Sequence, residues 1–281
     1  LLTFRLQVDR TLMKAMLVYS LPIFVANVSF IINEHLDKMM FPRLIPGIRG
    51  ENDLGVYGAV AKLAVFLNLF VTAFRLGVEP FFFSNAKEKN AGKTYALIMD
   101  YFIIIMVVVM VGISANIDWL KYFIEGKGDK YDAYWAGLFI IPVLLLNNVL
   151  LGIYMNLTVW YKLSDQTRYA LYISGIGALL TIVFNLLFIP SYSYVGAALS
   201  TTAAYIVMVL LSFIWGQKNY PIPYHVGKNL TYLFAGIIIS GLIFYVFDMN
   251  VWIGNTFFVG FVFLVFYKEK REVLTILKKK K

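Results

Sequence analysis

Four polar side chains recur on one face of a long apolar segment, where charged residues are costly. Asn68, Thr72, Arg75 and Glu79 follow one another at intervals of four, three and four residues, which is the spacing of one face of an α-helix. Arg75 and Glu79 lie one turn apart, so they can form an ion pair. An unpaired Arg at mid-depth in a bilayer costs at least about 2.5–3.5 kcal/mol. The stripe is therefore expected to face water or protein and not lipid.

This stripe has two interpretations. It is either the wall of a polar cavity in which Arg75 meets an anionic substrate, or a structural ion pair that joins two helices. Lys62 lies on the same segment, nearer to the outer surface and off the stripe. It either extends to the lipid headgroups or lines the outer half of the same cavity.

A second polar stripe runs along the first apolar segment. Ser20, Asn27 and Glu34 are seven residues apart, and Lys38 follows one turn later. Glu34 and Asp37 lie at the outer end of this segment, where a carboxylate exposed to water in a loop is the alternative interpretation.

Four further polar residues lie inside apolar segments. Asn147, Asn148 and Asn185 are expected to form hydrogen bonds between helices. Asp100 is expected only to end its helix at the cytoplasmic interface.

The composition excludes several classes of protein. The chain has 281 residues, of which 60% are hydrophobic and 15% charged, whereas soluble domains have about 45–50% and 25%. There is no Cys, so disulfides and thiolate chemistry are excluded. The two His residues, His35 and His225, fall on opposite sides of the predicted topology, so they cannot form a metal site or an acid–base pair. We expect no catalytic residue, no metal and no cofactor, and therefore no enzyme.

The apolar segments predict an all-α membrane protein with about eight transmembrane helices, because about 20 apolar residues span the hydrocarbon core. Pro190–Tyr194 divides the longest segment into two helices. The predicted segments are Ala15–Asn33, Gly55–Phe83, Tyr95–Asn116, Tyr134–Tyr161, Tyr169–Gln217 (two helices), Asn229–Phe247 and Val251–Tyr267.

The basic residues predict the orientation. Seventeen of the 25 Lys and Arg residues fall on the side that contains both termini, and six fall on the other. Positive charge marks the cytoplasmic side, so both termini are expected in the cytoplasm. The net charge of +9 is attributed to topology and lipid headgroups, and no nucleic-acid partner is expected. We divide the chain into an interfacial helix (1–14), a six-helix lobe (15–217), an extra transmembrane hairpin (218–267) and a basic tail (268–281).

Several segments carry a family resemblance, which rests on their order and spacing. They are Ile32–Pro46, Tyr57–Phe83, Leu157–Tyr169, Asn185–Tyr205 and Gly216–Tyr224. In these segments the chain resembles bacterial polysaccharide-export flippases of the multidrug/oligosaccharidyl-lipid/polysaccharide (MOP) superfamily. Such proteins have two six-helix lobes and an optional C-terminal helix pair. The resemblance implies a MATE-like second lobe plus that pair, and a first lobe supplied by a preceding part of a longer protein.

The resemblance also implies a function. Family members move a lipid-linked oligosaccharide, such as the repeat unit of a polysaccharide or of the O-antigen of lipopolysaccharide, across the bacterial inner membrane by alternating access. Arg75 and Lys62 are then the candidates for the diphosphate, and Asn27 and Asn68 for the sugar. Glu34 and Glu79 are the candidates for ion coupling or gating. The implied partners are this lipid-linked substrate, membrane lipids and the first lobe.

Three alternatives remain open. A cation-coupled multidrug exporter of the same superfamily should have an acidic, aromatic cavity. A membrane-embedded glycan polymerase or acyltransferase should carry a catalytic set in a large loop. A scaffold without transport activity would leave the two polar stripes as packing.

Overall fold

The computed structural model describes residues 9–124 and 134–279, together with the side chains in these ranges except at 29–30, 32–34 and 271–279. Every regular element in the described ranges is helical. The α-helices are α1 (Arg10–Leu44), α2 (Ile48–Ser84), α3 (Ala91–Ala115), α4 (Ile117–Leu120), α5 (Ile141–Leu157), α6 (Val159–Leu163), α7 (Arg168–Asn219), α8 (Val226–Gly241) and α9 (Val251–Lys279). Short 3₁₀ turns (Lys121–Phe123 and Leu138–Ile140) precede α5, and a π-turn (Leu242–Val246) ends α8.

Local sequence sets several helix starts. The Asp9 carboxylate accepts hydrogen bonds from the backbone N–H groups of Thr11 and Leu12 at 2.8 and 3.2 Å, which satisfies two N–H groups that the first turn leaves unpaired. Asn250 caps α9 in the same way, with its Oδ1 accepting from Trp252 and Ile253.

The 52-residue helix α7 is a hairpin of two antiparallel helices. Ser193 has φ 51° and ψ −131°, which is not helical. A Cβ placed on Gly177 would lie 2.4 Å from the Met208 sulfur, although these residues would be about 46 Å apart along a straight helix. The chain therefore reverses at Ser193, and the predicted division is confirmed. We call the two halves α7a (168–192) and α7b (194–219).

The chain is a polytopic membrane protein. In the described part, seven helical segments are long and apolar enough to cross a membrane, and α7 counts as one of them. Because α7 reverses, it accounts for two crossings, which gives the eight that the sequence predicts. Large apolar side chains such as Leu69 and Phe263 are exposed on the outer helices, as expected for a surface that faces lipid.

The core lies around α3 and α5. Val107 and Val111 on α3 and Leu145 and Val149 on α5 are fully buried. Gly152 permits the close approach of α5 to its neighbours, because a Cβ there would lie 2.3 Å from the Phe102 ring. This packing fixes the position of α5 and α6, which carry part of the candidate site.

The C-terminal pair α8–α9 packs against α3 near both of its ends. Ser114 donates a hydrogen bond to Ser240 at 3.1 Å. At the same end, Asn116 and Asn255 exchange amide hydrogen bonds of 3.3 and 3.1 Å.

At the opposite end, charged residues make the contact. The Asp100 carboxylate, fully buried on α3, lies 2.6 Å from His225 Nδ1 and 4.0 Å from Lys228 Nζ. Lys228 also lies 2.7 Å from the Glu269 carboxylate, which accepts a hydrogen bond from the Tyr232 hydroxyl. The prediction that Asp100 only ends its helix is wrong, because α8 brings two basic side chains to a position inside α3.

Two predicted boundaries fall within helices. α1 begins at Arg10 and continues past residue 14 without a break, and α9 continues past residue 267. No glycine or proline near either position interrupts the helix. Residues 1–8 of the predicted interfacial helix lie outside the described residues.

Candidate functional site: a cationic cavity between α1, α2, α5 and α6

A cavity of about 600 Å³ opens between α1, α2, α5 and α6, with the start of α7a at its edge. Such a volume suits a small-molecule group, since ligand pockets span about 300–1,000 Å³. The polar side chains that line it are Tyr19, Asn27, Asn68, Thr72, Arg75, Glu79, Tyr154, Thr158, Tyr161 and Lys162.

The polar stripe of α2 forms one wall of this cavity. Asn68, Thr72, Arg75 and Glu79 all line it, so the prediction that they share one face is confirmed. The Thr72 hydroxyl donates a hydrogen bond to Asn68 Oδ1 at 3.4 Å. Asn27 of α1 lines the same cavity, although it comes from a different helix.

Among the described residues, the Arg75 guanidinium has no carboxylate partner. Its Nη1 donates to the Met155 sulfur at 3.7 Å, and a thioether is a weak acceptor. In the described part of the chain, no carboxylate oxygen lies within 4.0 Å of it, because Glu79 pairs with another residue. An exposed cation on a cavity wall is available to an anionic ligand.

The predicted Arg75–Glu79 ion pair is wrong. The Glu79 carboxylate instead accepts from the Lys162 ammonium of α6 at 2.5 Å. Lys162 is only 18% exposed, and a mostly buried ammonium requires a counter-charge. Arg75 is exposed to the cavity, so it can do without one.

Three helices meet at the Lys162 end of the cavity. The Tyr19 hydroxyl of α1 donates to the Lys162 carbonyl oxygen at 3.3 Å, and the ion pair with Glu79 adds α2. The cavity therefore contains two cations and one carboxylate among its described lining residues, and this excess of positive charge favours an anionic ligand.

One predicted site residue does not line the cavity, and another lies outside the description. Lys62 is exposed on α2 and is not among the lining residues of the cavity. The side chain of Glu34 lies outside the described residues.

Asp37 lies within α1 and is buried, so it is not a water-exposed carboxylate in a loop. It is 3% exposed, and its carboxylate accepts a hydrogen bond from the Tyr57 hydroxyl at 2.5 Å. Both residues line a second cavity of about 110 Å³, which Asn68 also borders.

Asn147, Asn148 and Asn185 were predicted to form hydrogen bonds between helices, and each of them contacts another helix. Asn147 Nδ2 donates to the Ala198 carbonyl oxygen, and Asn148 Nδ2 donates to that of Ala64. Asn185 Nδ2 donates only to the Met40 sulfur, at 3.9 Å. These contacts position α5 against α2 and α7b.

The sequence interpretation missed two residues of the site. Lys162 was assigned only to topology, and Asn156, which lines a crevice beside the cavity, was not singled out. The available signal for Lys162 was its position immediately after the end of the apolar segment Tyr134–Tyr161. Within the described residues, no group of three His, Asp or Glu side chains could hold a metal ion.

Thiol labelling can test whether water reaches this cavity. We expect Thr72→Cys to react with a membrane-impermeant thiol reagent, because Thr72 is exposed on the cavity wall. Leu145→Cys, at a fully buried position of α5, is the matched control and should stay unlabelled. The chain has no Cys, so background labelling is absent. Protection of position 72 from reagent on both sides of the membrane would contradict an aqueous path.

A solved structure has a similar fold. It is a MOP superfamily transporter from Pyrococcus furiosus Vc1 (DSM3638), for which a binding pocket of reverse polarity suggests a different function. The two chains align with a TM-score of 0.53 at 18% sequence identity, over 82% of this chain and 52% of the other. This chain shares the fold of the aligned part of that protein and spans about half of its length. No protein-family model matches the sequence, and no curated protein matches it.

Proposed function

We propose that the chain is part of a transporter that moves a lipid-linked oligosaccharide across the membrane by alternating access. The observation that carries this proposal is the Arg75 guanidinium, which lies on the wall of a 600 Å³ cavity and has no carboxylate partner among the side chains that the structure describes. Arg75 would contact the diphosphate that links the sugar to its lipid, and Asn27 and Asn68 would contact the sugar.

The chemistry of the cavity supports an anionic substrate. A diphosphate in hydrocarbon has a prohibitive solvation cost, so it needs a polar path across the membrane. A guanidinium offers two parallel hydrogen bonds to phosphate oxygens, and Arg75 donates to no carboxylate in the described part of the chain. An exporter of organic cations would need the opposite charge balance, with more carboxylates than the single Glu79 among the described lining residues.

The fold supports a transporter more generally. The similar structure is a transporter of the MOP superfamily, and this chain spans about half of its length. Complete transport by alternating access would therefore require a second set of helices opposite the cavity. The family resemblance supports a location in a bacterial inner membrane, and the charge distribution supports an orientation with both termini in the cytoplasm.

A leaflet-specific assay tests this function. The native protein is reconstituted into liposomes that contain a fluorescent lipid-linked oligosaccharide, and a membrane-impermeant quencher reports the fraction in the outer leaflet. We expect the protein to make nearly all of the fluorescence accessible, whereas protein-free liposomes keep about half protected. Movement of an organic cation, with the lipid-linked sugar left in place, would instead identify a drug exporter.

A further inference from the structure

Asn156 of α5 carries a donor without an acceptor. The side chain is 5% exposed, and its Nδ2 has no hydrogen-bond partner among the described residues. Buried polar groups are nearly always paired in native proteins, so an exception requires an explanation. A group that accepts a hydrogen bond at this position, and that is not part of the described chain, would supply one.

The crevice that Asn156 lines also contains the charged groups of the cavity. Arg75, Glu79 and Lys162 line it, and its volume is about 20 Å³. About 10–15 Å³ on this measure holds one water molecule, so the crevice has room for a single oxygen atom of a ligand. The donors around it are an amide, a guanidinium and an ammonium.

These donors favour a negatively charged oxygen. Within the described ranges, Arg75 donates only to a thioether, and Asn156 Nδ2 has no acceptor. Hydrogen bonds from cationic donors to anionic oxygens are shorter and stronger than neutral ones. A water molecule would satisfy the amide but would leave the guanidinium without an anion.

Among the described residues that line the crevice, Glu79 carries the single carboxylate. It holds the Lys162 ammonium at 2.5 Å and is itself 36% exposed. A ligand oxygen in the crevice would compete with Glu79 for the same ammonium, because both are anionic acceptors. Displacement of Glu79 would remove the ion pair between α2 and α6.

We propose that Asn156, Arg75 and Lys162 form a subsite for one phosphate oxygen of the ligand, and that Glu79 is an internal competitor which the ligand displaces from Lys162. This inference rests on the proposed function, because it requires an anionic ligand in the cavity. It assigns ligand recognition to Asn156 and connects ligand binding to the contact between α2 and α6.

Binding of inorganic pyrophosphate to the purified native protein tests the subsite. Glu79→Gln should bind pyrophosphate about tenfold more tightly, because the amide competes less well for Lys162. Asn156→Leu, which has a similar shape and no donor, should bind it about tenfold more weakly. Lys218→Gln removes an exposed cation of α7b that lines neither the cavity nor the crevice, and it serves as the matched control, with an unchanged dissociation constant.

The outcomes separate this inference from the function on which it rests. One outcome would overturn the subsite: pyrophosphate binding that requires Arg75 but is unchanged in both Glu79→Gln and Asn156→Leu. The crevice would then hold only water, and the proposed function would still stand. Binding that is the same in Arg75→Gln as in the wild type would overturn the proposed function itself. The tighter binding expected for Glu79→Gln cannot arise from misfolding, so it supports the subsite even where Asn156→Leu is unstable.

Discussion

Arg75→Ala is expected to abolish movement of the lipid-linked oligosaccharide, and Arg75→Lys is expected to retain part of it. Each hydrogen bond to a charged group contributes about 1.5–3 kcal/mol, so loss of a bidentate contact reduces the rate by at least about 100-fold. Lys keeps the charge but loses the planar pair of donors. The initial rate of quencher accessibility in the liposome assay measures both variants.

The fold should survive these changes, since the guanidinium is exposed and makes its described contact with a thioether. Equal melting temperatures of Arg75→Ala and wild-type protein in detergent would establish this. Lys218→Ala is the matched control, because it removes an exposed cation of α7b that does not line the cavity. Normal transport by Arg75→Ala would end the diphosphate role of this residue.

Lys228→Met is expected to lower the free energy of unfolding by about 3–5 kcal/mol, the cost of removing one partner of a buried ion pair. The change leaves two carboxylates, Asp100 and Glu269, buried without this ammonium; they are 0% and 7% exposed. Unfolding of the purified protein in mixed micelles, followed by circular dichroism, measures the loss.

A matched variant separates this effect from a general change of net charge. Lys218→Met removes an exposed Lys at the same end of the molecule, and we expect a change of less than about 0.5 kcal/mol. The double variant Lys228→Met/Glu269→Gln should recover part of the stability, because one of the buried carboxylates is then neutral. A loss below about 1 kcal/mol in Lys228→Met would show that the charged contact does not hold α8–α9 to α3.

The helical architecture could be predicted from the sequence because two strong signals agree. Apolar runs of membrane-spanning length gave the segments, and Pro190–Tyr194 correctly marked the division of α7. Helix periodicity correctly grouped Asn68, Thr72, Arg75 and Glu79, since residues on one helix keep their angular relation whatever surrounds them. These are properties of single helices.

Contacts between helices could not be predicted in the same way. The Glu79 carboxylate had a partner one turn away in sequence, Arg75, but tertiary packing brought Lys162 of α6 closer. Asp100 looked like a residue at a helix end, and only the position of α8 explains how it is stabilised. In each case the charged partner comes from a distant part of the chain. A single sequence does not show which distant residues lie close together in the fold.

Asn156 illustrates a further limit. Its residue type and position resemble those of Asn147 and Asn148, which serve as interhelical contacts. The difference is that Asn156 Nδ2 lacks an acceptor among the described residues. This depends on the positions of the neighbouring side chains, which the sequence does not show. The roles assigned to Arg75, Asn27, Asn68, Glu79, Lys62 and Glu34 stay predictions.

The attachment of α8–α9 to α3 has a mechanical consequence. Asp100 and Asn116 are anchored to the pair at two heights that are about 24 Å apart along the helix axis. Two contacts so far apart resist pivoting and sliding of α8–α9 against α3. We therefore expect the pair to move together with α3. A spectroscopic probe at Asn250, which is exposed between α8 and α9, should therefore report rotations of the part of the bundle that contains α3.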